Sequence, residues 1–329
     1  MKKVINDPTA VVDEMLNGLC FVHSDLVERV EGFEVITRKA PKTGKVALIS
    51  GGGSGHEPSH AGFVGEGMLS AAVCGAVFTS PTPDQVLEAI KATDEGAGVF
   101  MVIKNYSGDI MNFEMAQEMA EMEGVEVASV VVDDDIAVED SLYTQGRRGV
   151  AGTVLVHKIL GHAAREGKSL SDIKELADKL VPNIHTIGVA LSGATVPEVG
   201  KPGFVLADNE IEYGVGIHGE PGYRKERLES SAILAKELVG KLLDSFDAQS
   251  GDRFAILING LGNTPLMEQY VFANDVAGLL ADAGLEVAYK KLGNYMTAID
   301  MAGLSLTLLK VEDEAWLEAL NSPVTTAAW

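Results

Sequence analysis

Positive charge is scarce in this chain: 26 lysines and arginines stand against 48 acidic residues, a formal net charge of −22 over 329 residues. Such a field repels phosphate backbones and anionic headgroups, which argues against nucleic acid and membrane surfaces as partners. Cysteine is rarer still. Cys20 and Cys74 are the only two, without metal-ligand spacing, so both read as small buried apolar residues of a reducing compartment. No apolar run approaches the ~18 residues needed to cross a bilayer. Asp7, Pro8, Asp13 and Glu14 interrupt any secretory core near the start. A soluble cytoplasmic protein is expected. Nucleotide loops are missing too. No lysine follows Gly55 as a Walker loop requires, and three residues beyond Gly53 stands His56 where a dinucleotide loop needs glycine.

What the chain has instead is histidine framed by glycine. Gly214-Val-Gly-Ile-His218-Gly-Glu-Pro-Gly222 sets His218 between glycines, followed by Glu220 and Pro221, and reads as a loop facing water. Glycine lacks the Cβ barrier, so such a backbone turns sharply and approaches a ligand closely. An imidazole there can serve as base, metal ligand or nucleophile toward an electrophilic carbon, or simply cap a helix. The segment alone leaves these open. Upstream, the apolar run 46–50 leads into Gly51-Gly-Gly-Ser-Gly55 and His56-Glu57-Pro58. Strand followed by glycine loop is where open α/β sheets bind ligands. In a third segment, the strand-type run 98–103 leads into Lys104-Asn105-Tyr106-Ser107-Gly108-Asp109. These polar groups are costly to bury, so they should face a cleft. The plainer reading makes Asp109 the cap of a helix starting near Ile110.

Strand-type and helix-type segments alternate along the chain, the signature of an α/β architecture. Expected strands are 46–50, 99–103, 127–132, 186–191, 253–259, 286–292 and 305–310. Expected helices are 83–93, 112–123, 152–166, 170–180, 228–243, 265–283 and 313–320, with Thr82-Pro83-Asp84 and Ser169 as helix starts. Pro182 ends one helix before a fresh strand, which predicts two α/β domains, 1–182 and 183–329, each a mixed or mostly parallel sheet flanked by helices. His56 and Asp109 then fall in the first and His218 in the second, with the ligand site between loops of both.

Taken in order, GGGSGHEP, IKNYSGDI, VDDDIAV, DSLYTQGRRG, LADNEIEYGVGIHGEPG and AIDMAGLSLTLLK resemble the dihydroxyacetone kinase family. The likeness is to the dihydroxyacetone-binding subunit of its phosphotransferase-coupled bacterial members, and it covers essentially the whole chain. The resemblance implies that His218 bonds covalently to the substrate carbonyl carbon as a hemiaminal. It implies that His56 and Asp109 are the acid/base pair around the reacting hydroxyl. It implies that Gly53, Ser54, Gly55 and Lys104 hydrogen-bond the substrate. Physical chemistry fits these roles. Dihydroxyacetone is small and neutral, with few atoms to offset its lost freedom, so a covalent grip supplies what burial cannot. Phosphorylation then needs chiefly a positioned hydroxyl and a base.

Single-chain kinases of this family add a nucleotide-binding domain with a GDGD-type aspartate cluster, and no such sequence occurs here. The expectation is therefore one subunit that binds no cofactor of its own. ADP or ATP and magnesium would sit on a nucleotide-binding partner subunit, recharged by a phosphotransferase subunit, and a homodimer is expected. A non-catalytic dihydroxyacetone-sensing co-activator is the alternative, disfavoured by retention of His56 and Asp109. A free-standing kinase or dehydrogenase is disfavoured by the missing nucleotide loops. Asp133, Asp134 and Asp135 look metal-like, but neighbours in an extended segment point opposite ways, so packing on Arg147 or Arg148 is expected instead. The basic turn at 144–149 reads as architecture. His60, His157, His162 and His185 read as surface or satisfied-core residues. Met111, Met115, Met119 and Met122 read as core or interface packing.

Overall fold

Among the described residues, twelve strands gather into two six-stranded sheets, one from each half of the chain. The structure is a computed structural model and describes residues 2–40, 43–138, 144 and 146–329. The first half holds α1 (Val11–Val22), β1 (Val27–Arg29), β2 (Val35–Arg38), β3 (Ala47–Ser54) and β4 (Ala71–Val77). It continues with α2 (Pro83–Thr93), β5 (Val99–Lys104), α3 (Ser107–Met122) and β6 (Val127–Val132). Its sheet runs β1-β2-β4-β3-β5-β6, parallel from β4 to β6 and antiparallel at the β1 edge. Central strands β3 and β5 are buried throughout, as strands covered on both faces must be. Alternate residues serve different cores. Ile49, Met101 and Ile103 pack on α2 and α3, whereas Leu48, Phe100 and Val102 face the interior between the two sheets.

Two helices, α4 (Gly152–Arg165) and α5 (Leu170–Leu180), lead to the second sheet. That sheet uses β7 (Ile184–Ala190), β8 (Glu210–Tyr213) and β9 (Arg224–Arg227), then β10 (Arg253–Gly260), β11 (Glu286–Gly293) and β12 (Gly303–Lys310). Its order is β11-β10-β12-β7-β8-β9, parallel only between β10 and β11. Helices α6 (Ser231–Ser245) and α7 (Leu266–Asp282) cover one face, and α8 (Glu314–Asn321) follows the last strand. The fold is thus α/β with two mixed sheets flanked by helices, as expected. Helix α4 is buried except at His162 and Arg165, because both sheets pack against it. Neither terminus stays with its own sheet: Lys3 pairs with Asp300, and Ala328 donates its N–H to Gly62 O.

Thr82 and Ser169 cap their helices through capping boxes, as anticipated. Other expectations need correction. The glycines after position 50 are not a loop: β3 runs on to Ser54, with Gly51, Gly52 and Gly53 paired to Val73, Cys74 and Gly75. At Gly52 (φ +153°) a methyl group would strike Lys104 Nζ, so glycine serves close packing inside a strand. Helix α3 starts at Ser107, which puts Asp109 inside its first turn instead of at a cap. Of the four methionines read as core or interface packing, Met111, Met115 and Met122 are exposed and only Met119 packs against the core. The small-residue strand β4 and the short strands β1, β2, β8 and β9 carry little apolar periodicity and were not expected. Cys74 is buried and Cys20 half-buried, both as free thiols. No helix among the described residues is long and apolar enough to cross a membrane.

Candidate active site

Four polar side chains from both halves meet where β3 and β5 end. His56 follows β3 directly and is fully buried. Its Nδ1 lies 2.7 Å from Thr297 O, a carbonyl that can only accept, so Nδ1 carries the proton. Its Nε2 is then a bare acceptor and faces His218 Nε2 at 3.1 Å, making His218 the donor. The segment joining β11 to β12 straps this corner down: Thr297 N–H donates to His56 O and Ile299 N–H to Gly55 O. Phe78 stacks on His56 with ring centroids 5.1 Å apart and meets His218 edge-on at 5.4 Å. Phe78 holds φ at +54°, a left-handed backbone that costs a bulky residue about 1–3 kcal/mol. Such strain persists only where surrounding contacts fix it.

His218 does not face water. Only 16% of its side chain is exposed, because Tyr106, 4.4 Å away centre to centre, completes a box with Phe78 and His56. Gly216 makes room for the Glu220 carboxylate, which a Cβ there would strike. Glu220 accepts the His218 backbone N–H at 2.8 Å, so the glycine-framed turn is folded around its own acid. Behind it, Arg148 pairs with Asp135 at 2.6 Å and donates to Gly214 O at 2.7 Å. The aspartate run thus packs on arginine, as expected, and Asp134 is spent on the N–H groups of Val150 and Gly152. Of the basic turn, Gln145 lies outside the described residues, as do residues 139–143 of the neighbouring motif.

Asp109 accepts from Ser80 Oγ on one oxygen and from Lys104 Nζ, 3.4 Å away, on the other. Lys104 is wholly buried, and its remaining protons go to Gly51 O at 3.1 Å and His60 Nε2 at 3.2 Å. Burial, with the Lys104 ammonium acting on both rings, holds the His56 imidazole well below its ordinary value and His218 at about 3. Both rings are neutral at physiological pH. Gly53, Ser54 and Gly55 adjoin this cluster, but the Ser54 hydroxyl donates to Gly75 O and the Gly55 N–H to Glu57.

A cavity of about 360 Å³ touches the same loop from the α1 side, between Leu16, Gly53, Cys74 and Ala328. It is mostly apolar, with His23, Glu57 and His60 at its wall, and none of His56, Lys104, Asp109 or His218 borders it, so the chemistry belongs to the histidine corner. Sequence reading missed His60, Phe78, Ser80, Glu220 and Thr297 as parts of that corner. Only Glu220 carried a signal, through its place in the motif of His218.

Residues 17–328 match the Dak1 domain. The chain belongs to the Dak1-domain family. It is 68% identical over 328 residues to the dihydroxyacetone-binding subunit DhaK of a PTS-dependent dihydroxyacetone kinase from Lactococcus lactis, covering 100% of this chain and 99% of that one. A solved family structure described as the dihydroxyacetone kinase operon co-activator Dha-DhaQ has a TM-score of 0.91 and 44% identity, covering 96% of this chain and 97% of that one. The dihydroxyacetone kinase of C. freundii, solved with AMP-PNP and Mg2+, also has a TM-score of 0.91, at 36% identity over 100% of this chain and 60% of that one.

Proposed function

We propose that this chain is the dihydroxyacetone-binding subunit of a phosphotransferase-coupled dihydroxyacetone kinase. It holds the ketone on His218 as a hemiaminal while a nucleotide-bearing partner delivers the phosphoryl group to a terminal hydroxyl. The observation that carries the reading is the neutral pair His218 Nε2 and His56 Nε2 at 3.1 Å, beside a carboxylate held by a buried lysine. An imidazole kept neutral is a competent nucleophile, and a bare ring nitrogen against it is a base already in place.

The contact argues for moving His56 from the reacting hydroxyl to the carbonyl. As His218 Nε2 bonds to the carbonyl carbon, its N–H proton passes to His56 Nε2. The carbonyl π pair moves to oxygen, and His56 returns the proton there, giving a neutral hemiaminal. Asp109 then accepts the proton of the terminal hydroxyl as that oxygen bonds to the γ-phosphorus of the partner's ATP and the bond from phosphorus to ADP breaks. Little else is asked of the protein, because phosphoryl transfer depends mostly on positioning and charge. Gly53, Ser54, Gly55 and Lys104 would line the ligand, nucleotide and magnesium would come with the partner, and a second copy of the chain completes the expected assembly in the cytoplasm.

Purified chain with dihydroxyacetone, ATP and magnesium should give no useful turnover, and adding the nucleotide-binding subunit should start it. Robust turnover by the chain alone would refute the subunit reading. The relative described as a co-activator keeps a second reading in view: adduct formation without turnover in the presence of the partner would identify a sensor.

A further inference from the structure

Beyond Lys104 lie two buried histidines that the chemistry above does not use. His60 Nε2 is 3.2 Å from Lys104 Nζ, and His60 Nδ1 is 2.9 Å from His157 Nε2. Both rings are buried, and their planes meet edge to face with centroids 5.1 Å apart. The direction of every bond in this row is set by what each group can do. An ammonium has three donors and no acceptor. Its partners are Gly51 O, Asp109 Oδ2 and His60 Nε2, so all three protons are spent and His60 Nε2 must accept. His60 therefore carries its proton on Nδ1 and donates it to His157 Nε2. His157 in turn is protonated on Nδ1, which has no partner among the described residues and ends the row.

We propose that His60, backed by His157, is a positioning residue that holds the Lys104 ammonium against the Asp109 carboxylate. The inference rests on the reading of Asp109 as the base for phosphoryl transfer. A lysine on a flexible four-carbon stem has no preferred aim of its own. Here it is aimed by its acceptors, and two of them, Gly51 O and His60 Nε2, belong to β3 and the turn beyond it. Helix α4, through His157, takes the Nδ1 proton of His60 and so agrees with the tautomer that Lys104 demands. Gly52 completes the arrangement: a Cβ there would meet Lys104 Nζ and come within 3.4 Å of Asp109 Oδ2, so the ammonium and carboxylate lie directly on the strand's backbone. Burial and the Lys104 ammonium keep His60 uncharged, and burial holds His157 at about 3, so the row stays neutral and oriented at physiological pH.

The test compares His60→Leu with His60→Gln in the full chain, saturated with the nucleotide-binding subunit. Leucine keeps bulk but offers Lys104 no acceptor, whereas the glutamine carbonyl can still accept. His60→Leu should lower kcat by about 10- to 100-fold, the scale of a displaced catalytic group, with hemiaminal formation within about three-fold. His60→Gln should recover most of kcat. Unchanged kcat in His60→Leu, or joint loss of kcat and adduct in both variants, would overturn the proposal. If His60→Leu does not fold, 15N spectra of the wild-type histidines decide. A proton on Nδ1 and a free pair on Nε2 of His60 are expected, and the opposite tautomer refutes the row. Wild-type turnover in Asp109→Asn would instead defeat the role of Asp109 while leaving that tautomer in place.

Discussion

The Nε2 atoms of His56 and His218 face one another at 3.1 Å, although the two residues stand 162 positions apart in the chain. The contact joins the two sheets at their shared corner, and it is polar in a single sense. Thr297 O claims the Nδ1 proton of His56, which leaves His56 Nε2 to accept from His218. One backbone carbonyl from the second half of the chain thereby sets the protonation of a residue in the first. Substrate entering between the rings meets a nucleophile whose proton already has somewhere to go.

Removing the nucleophile should cost binding and spare the fold. In His218→Ala, affinity for dihydroxyacetone should drop by about 10²-fold or more, since hydrogen bonds to so small a ligand cannot replace a covalent bond. Titration calorimetry with the ketone, beside a melting curve, checks both halves. Wild-type affinity in a folded variant would place the grip elsewhere.

The two acid/base candidates should separate by step. His56→Asn removes the base facing His218, so hemiaminal should appear more slowly in rapid-mixing experiments. Asp109→Asn keeps size and hydrogen bonding, so adduct should form normally while kcat falls about 10²–10⁴-fold, the usual worth of general-base assistance. The signal to follow is the carbonyl carbon of 13C-labelled dihydroxyacetone becoming tetrahedral. If His56→Asn forms adduct as fast as wild type, His56 acts at the hydroxyl after all.

His56, Lys104, Asp109 and His218 were legible as candidates in the sequence because each stands at a strand end, just beyond one, or in a glycine turn, where polar side chains are costly unless used. Their supporting residues were not. His60 and His157 lack glycine framing, and nothing local distinguishes them from histidines such as His185, which stacks on Phe246 and hydrogen-bonds Ser245 and Arg147. The extension of β3 through Gly51, Gly52 and Gly53 was invisible for a related reason. Glycine favours loops by conformational freedom, and only the approach of Lys104 and Val73 reveals that it was needed for space. The central strands and most helices could be placed because burial on both faces, or on one stripe, leaves a periodic trace. Short edge strands such as β8 and β9 leave none.

Buried neutral histidines should make the fold acid-sensitive. His157 and His218 are held at about 3 in the folded chain, against an ordinary value near 6.5. Below about pH 6.5 the unfolded chain binds protons that the folded chain refuses, so stability falls as pH drops toward 3. At pH 5 each such residue withholds about 2 kcal/mol, from 1.36 kcal/mol per unit. Denaturant titrations between pH 7 and pH 5 should therefore show a steeper loss in wild type than in His157→Gln, by about that amount. Parallel curves would mean that His157 takes up a proton in the folded state.

Two glycine substitutions should move stability in opposite directions. Gly52 has φ at +153° and would push a methyl group into Lys104 Nζ, so Gly52→Ala combines backbone strain with displacement of the ammonium from Asp109. Strain of this kind costs about 1–3 kcal/mol. Turnover should fall as well, because the lysine cannot yield without leaving the carboxylate. Gly240 lies within α6 and has nothing within 4 Å of where a Cβ would stand. Gly240→Ala should thus raise stability by roughly 0.5–1 kcal/mol, the helix penalty of glycine relative to alanine, and leave kcat untouched. Urea denaturation of both variants, with kcat measured at saturating partner subunit, distinguishes glycine required by the site from glycine merely tolerated in a helix. A stable, fully active Gly52→Ala would show that Lys104 can reach Asp109 from another position, and that the close packing of β3 is not what aims it.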